Sequence, residues 1–113
     1  MKIAVVGSRD LQVEDLGRYL PQGVTEIISG GARGIDTSAR CYALAAGLKL
    51  TEILPAYDKY GRFAPIRRNQ AIVDSADEVL AFWDGRSRGT RYVIGYCQKR
   101  KKRITVFIRK RPE

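Results

Sequence analysis

The chain has no histidine and only two cysteines. Without histidine there is no imidazole base and no Ser-His-Asp constellation. Cys41 and Cys97 lack the C-x-x-C spacing, so a zinc site has too few ligands of its preferred types, and no metal is expected. Both cysteines fall within helical patterns and are expected as reduced core residues of a cytosolic protein. Long apolar runs are missing too. None could span a bilayer, and residues 2–6 are too short for the apolar region of a secretory signal. A soluble, cytoplasmic protein with no membrane partner is therefore expected. The 113 residues leave no room for a separate substrate domain, so residues 1–113 are expected to form a single domain.

Acidic charge is scarce in one half only. Residues 1–56 carry 6 basic and 6 acidic groups, whereas residues 57–113 carry 15 and 6 and hold the whole net charge of +9. Such asymmetry suits a polyanionic or phosphorylated partner on one side of the molecule, and it also serves solubility.

What the chain does have is an alternation of apolar runs and helical stripes. Residues 2–6, 24–28, 49–54, 77–83 and 104–108 read as strands. Between them lie a loose stripe of Leu11, Leu16, Tyr19 and Leu20, a small-residue stripe of Ile35, Ala39, Ala43 and Ala46, a third of Ile66, Ala71, Ile72 and Ala76, and a fourth of Val93, Ile94 and Cys97. Five strands separated by four helices imply an α/β fold: a Rossmann-like, doubly wound five-stranded parallel sheet with helices on both faces and strand order 3-2-1-4-5. In that order ligands bind outside the carboxyl ends of the strands, between strands one and four.

Three loops would meet there. The first is Gly7-Ser8-Arg9. The second, Ser29-Gly30-Gly31-Ala32-Arg33-Gly34-Ile35-Asp36, joins a strand to a helix. Its three glycines let backbone N–H groups face an anion at the positive end of a helix, with Arg33 as a side-chain donor. The same glycines would also serve a plain tight turn. Asp36 could bind a ribose or base, or simply complement the helix dipole. The third loop, residues 84–90, contributes Gly85, Ser87, Gly89 and Thr90. Arg67, Arg68 and Asn69 open the third helix, where cations oppose the dipole and a bound anion would account for them. Residues 55–65 have no periodicity and read as a loop; its Tyr57, Tyr60 and Phe63 lie among Lys59 and Arg62, a mixture suited to stacking on a base or to packing the loop down. The cations of residues 99–103 suit the end of the fourth helix.

These residues resemble a known family. Ser29-Gly-Gly-Ala-Arg-Gly-Ile-Asp36 is similar to the S-G-x-A-x-G-I-D motif of the DNA-processing protein A (Smf) family, and Arg68-Asn69 to its R-N-x-x-I element. With Gly7-Ser8-Arg9, they resemble the SLOG superfamily, which joins that family to the Lonely Guy phosphoribohydrolases. The resemblance implies a Rossmann-like fold and a nucleotide or nucleotide-derived ligand, with no cofactor assigned beyond that ligand, as in small stand-alone nucleotide sensors. Lonely Guy enzymes carry P-G-G-x-G-T-x-x-E with a catalytic glutamate. Aligned on Gly89-Thr90, this chain has Val93 at the glutamate and Gly85-Arg86-Ser87 over P-G-G. Binding without turnover is therefore expected. One alternative is a nucleotide N-glycosidase using Asp36, Asp58 or Asp84. The other is a single-stranded DNA-binding module using residues 99–103 and the aromatic loop. Self-association is left open.

Overall fold

The computed structural model describes residues 1–110. Strands β1 (Lys2–Gly7), β2 (Glu26–Ser29), β3 (Lys49–Glu52), β4 (Glu78–Trp83) and β5 (Arg103–Ile108) form one sheet in the order β3-β2-β1-β4-β5. Every neighbouring pair is parallel. This is the Rossmann-like order expected from the alternation of elements, with its reversal between β1 and β4, where Gly7 stands opposite Phe82.

Helices α1 (Ile35–Ala46), α3 (Ala64–Ser75) and α4 (Arg88–Arg100) cover the sheet, and α2 (Tyr57–Tyr60) is a single turn. The pleat sends alternate residues of the central strands to opposite layers. Ile3, Val5, Leu80 and Phe82 pack with Ile35, Ala39 and Ala43 of α1, while Ala4, Val6, Val79 and Ala81 pack with Ile72 and Val73 of α3 and with Val93 and Cys97 of α4. Each fully buried Val, Leu, Ile or Phe contributes roughly 1.5–3 kcal/mol. The small residues of α1 let it lie close to the strands. Among the described residues no helix is long and apolar enough to cross a membrane.

Four expectations are corrected. The first crossover holds no α-helix but a loop with one 3-10 turn, Leu16–Tyr19. Leu11 and Leu16 are buried there as their apolarity requires, but Gly17, Pro21 and Gly23 interrupt the segment and Asp15 makes no capping hydrogen bond. Residues 57–63 are helical, as α2 followed by the 3-10 turn Gly61–Phe63 that leads into α3. In α3 the buried positions are Ala64, Ile72 and Val73; Ile66 is exposed. Cys41 is exposed, because it lies on the outer side of α1 beside Arg40, and only Cys97 belongs to the core, where burial raises its thiol pKa to about 11.

Candidate functional site

β1 and β4 lie side by side, so the loops that follow them leave the sheet together. The link is direct: the Ser8 N–H donates to Phe82 O (3.0 Å), and the Asp84 N–H donates to Ser8 Oγ (3.2 Å). Ser8 is buried.

α1 is drawn against this pair by two glycines. A Cβ on Gly7 would lie 2.5 Å from both Ile35 Cγ1 and Phe82 O. A Cβ on Gly34 would strike the Arg9 carbonyl, and Gly34 has φ +74°, which side-chain-bearing residues rarely adopt. Both positions hold the first turn of α1 at the end of β1. The first N–H groups of a helix have no intrahelical acceptor, and here they open beside the β1 loop.

The loop from β2 to α1 is closed from within. Asp36 Oδ2 accepts from the Ala32 N–H at 3.1 Å, and Arg68, from α3, donates through Nη1 to Gly30 O at 2.9 Å and through Nε to Asn69 Oδ1 at 2.8 Å. Gly30 makes room for this, since a Cβ there would lie 2.7 Å from Arg68 Nη1 and 2.9 Å from Asp36 Oδ2. Burial raises the pKa of Asp36, against the Ala32 N–H and the charges of Arg68 and Arg9, which favour the carboxylate. Burial also lowers that of Arg68, and the nearby Asp36 opposes the shift.

Between β4 and α4, Asp84 Oδ1 accepts from the N–H groups of Arg86 and Ser87, both at 2.8 Å, while Trp83 Nε1 donates to Ser87 O. The Arg91 N–H donates to Ser87 O at 3.1 Å, so the N–H groups of Arg88, Gly89 and Thr90 form the open end of the helix. Ser87 Oγ and Thr90 Oγ1 lie 3.3 Å apart.

These pieces enclose a crevice of about 460 Å³. Its volume lies in the range of small-molecule sites. Of the residues singled out from sequence, Gly7, Ser8, Arg9, Gly30, Arg33 and Asp36 line it, together with Arg68, Asn69, Ser87, Gly89 and Thr90, and also Asp84 and Val93. Ser29, Gly31, Gly34, Arg67, Gly85 and Asp58 are not among its lining residues. Ser29 is buried and holds the Gly31 N–H. Gly31 faces the end of β3, where a Cβ would lie 2.7 Å from Leu54, so a larger side chain there would meet Leu54 and not the crevice. Gly34 is spent on the contact with Arg9, and Arg67 lies over the Tyr60 ring. Gly85 makes the turn at φ +82°, and Asp58 lies on α2.

The basic lining is graded. Arg68 is half-buried and anchored, Arg9 is exposed, and Arg33 sits at the rim with its side chain 74% exposed, 3.7 Å from Asp10. An exposed pair of that kind contributes little. Sequence reasoning passed over Arg86 and Asp10 on the walls and Val6 and Ile72 on the floor. Arg86 was legible as a cation in a glycine turn before a helix; Ile72 carries no signal beyond its place in a core stripe. The arrangement brings the first turns of α1 and α4 and several guanidinium groups to one space, which suits an anion. No protein-family model matches the chain, and neither a curated protein nor a solved structure matches it.

Proposed function

We propose that this protein binds a nucleotide or nucleotide-derived phosphorylated ligand in the crevice, as a member of the superfamily that its motifs resemble. The observation that carries this reading is the meeting of the α1 and α4 N-terminal ends with Arg9 and Arg68 around one space at the β1–β4 reversal. A phosphate there would take N–H donors from both helices, and the guanidinium groups would balance its charge. The test is a thermal-shift panel of nucleotides, cyclic nucleotides and NAD derivatives on the wild type and Arg9→Ala. Arg9 is exposed, so its removal should leave the fold intact. Loss of a charge-assisted hydrogen bond should weaken binding roughly 10- to 100-fold. A panel without any stabilising compound would overturn the reading.

One observation favours the enzymatic alternative as a second reading. Asp36 is a buried carboxyl in the crevice whose pKa is raised by burial, the kind of perturbation found at acid and base groups of active sites. Asp84 is a poorer candidate because its carboxylate folds the turn before α4. Val93 lines the crevice with an aliphatic side chain that neither donates nor accepts a proton. Chromatography of free base released from nucleoside monophosphates separates the two readings. Binding alone predicts no release, whereas turnover that falls on the order of 100-fold or more in Asp36→Asn would make the protein an N-glycosidase.

A further inference from the structure

Among the described residues eight large apolar side chains are exposed, and five of them, Leu54, Tyr57, Tyr60, Phe63 and Ile66, belong to the stretch between β3 and the first turn of α3. That stretch also carries cations laid on its rings: Lys59 and Arg67 over Tyr60, and Arg62 over Phe63. Tyr57 differs. It is 60% exposed, among the described residues no cation or ring is laid on its face, and its phenol stands close enough to Arg68 to bear on the charge of that guanidinium. Pro65 and Arg68, in the first turns of the α3 helix into which this stretch leads, line the crevice, while the five apolar side chains lie outside its lining.

We propose that Tyr57 is the stacking face for the base of a nucleotide whose phosphate lies in the crevice, with the cations of residues 59–67 beside it. This rests on the ligand-binding reading above and adds that the ligand carries an aromatic heterocycle. An aromatic ring offers a base an apolar face of matching shape, and neighbouring cations favour an anionic ligand over a neutral one. Charge argues against a second copy of the chain as the occupant. A two-fold contact through this patch would set Lys59, Arg62 and Arg67 against their own counterparts, and Asp58 is the single acidic residue of the stretch.

Calorimetric titration of the full chain with the four common ribonucleoside 5′-monophosphates and with ribose 5-phosphate tests this. At least one nucleotide should bind more tightly than ribose 5-phosphate. Tyr57→Ala should weaken that nucleotide on the order of 5- to 100-fold and leave ribose 5-phosphate unchanged, while Tyr57→Phe keeps wild-type affinity. Since Tyr57 is exposed, the fold should survive either change. Equal affinity for nucleotides and ribose 5-phosphate overturns the inference but leaves the crevice reading intact, as does a Tyr57→Ala variant that binds nucleotide like wild type or loses both ligands alike. Tyr57→Phe as weak as Tyr57→Ala would assign the contact to the hydroxyl and overturn stacking. Failure of all five compounds to bind overturns the inference, and the crevice reading falls with it only if the panel of nucleotides, cyclic nucleotides and NAD derivatives also stabilises nothing. A dimer seen by light scattering that dissociates in Tyr57→Ala, with nucleotide affinity unchanged, would give the surface to a second copy and overturn the inference.

Discussion

Asp36 is 9% exposed and ionisable, and the groups around it pull in opposite directions. Burial favours the protonated carboxyl; the Ala32 N–H and the guanidinium groups of Arg68 and Arg9 favour the carboxylate; burial wins. A carboxyl whose folded-state pKa lies above its unfolded value of 3.8 contributes most to stability below that value, and the contribution is lost as pH rises through the raised one. Asparagine does not ionise but still accepts a hydrogen bond. The midpoint of thermal unfolding of Asp36→Asn relative to wild type should therefore climb as pH rises past 3.8. A difference that stays flat over that rise would show that Ala32 and Arg68 hold the carboxylate ionised throughout. Arg33 and Arg68 show how far a residue's identity is informative. Both are arginines near a glycine loop, yet Arg68 reaches Gly30 from 38 positions away in the chain and Arg33 points to the rim.

At the level of elements, the glycines divide into those that permit packing and those that do not. Gly34, with positive φ and the Arg9 backbone against its missing Cβ, lets α1 begin at the end of β1. Gly95 lies in the exposed middle of α4 with nothing within 4 Å of an added Cβ. Gly34→Ala should cost roughly 2–4 kcal/mol through strain and overpacking, whereas Gly95→Ala should stabilise by about 1 kcal/mol through helix propensity. Urea unfolding of the two variants checks both signs. A tolerated Gly34→Ala would mean that the start of α1 can move away from Arg9. Both glycines are plain in the sequence; only the packing of α1 on the β1 loop separates them. The stretch 57–63 shows the same limit. Its residues have no apolar stripe because no helix of one turn needs one, so periodicity could not reveal it.

For the whole molecule, the charge of +9 is not all available to a partner. Arg100 pairs with Asp74 at 3.5 Å, Arg103 with Glu78 at 3.7 Å, and Lys102 donates to Ala76 O, so much of the basic run at residues 99–103 finishes α4 and ties it to neighbouring elements. The crevice, in contrast, faces outward at the carboxyl ends of the strands. Binding of one nucleotide there should weaken by about tenfold or less between 50 and 200 mM salt, because only one or two charges are neutralised. A strand held through six or more phosphates would lose on the order of 1,000-fold over the same range. Titration at three salt concentrations distinguishes the cases, and a steep slope would favour the nucleic-acid alternative.

The layered parallel sheet was legible because buried strands must be apolar throughout and helices that cover them must repeat at their own period. Both are local properties of the chain. Ile3, Val5 and Val79 announce themselves in this way, and so does Gly47, which ends α1 in a left-handed conformation. The three loops could be assigned to one crevice once the doubly wound order was taken, since that order brings the carboxyl ends of β1, β2 and β4 together. Which residues of those loops turn inward was decided only by tertiary structure. Gly30 faces Arg68 and Asp36, Gly31 faces Leu54, and Gly34 faces Arg9, though the three stand within five positions of one another. Their directions follow from backbone dihedrals and from neighbours on distant segments, and neither is written in the identity of a glycine.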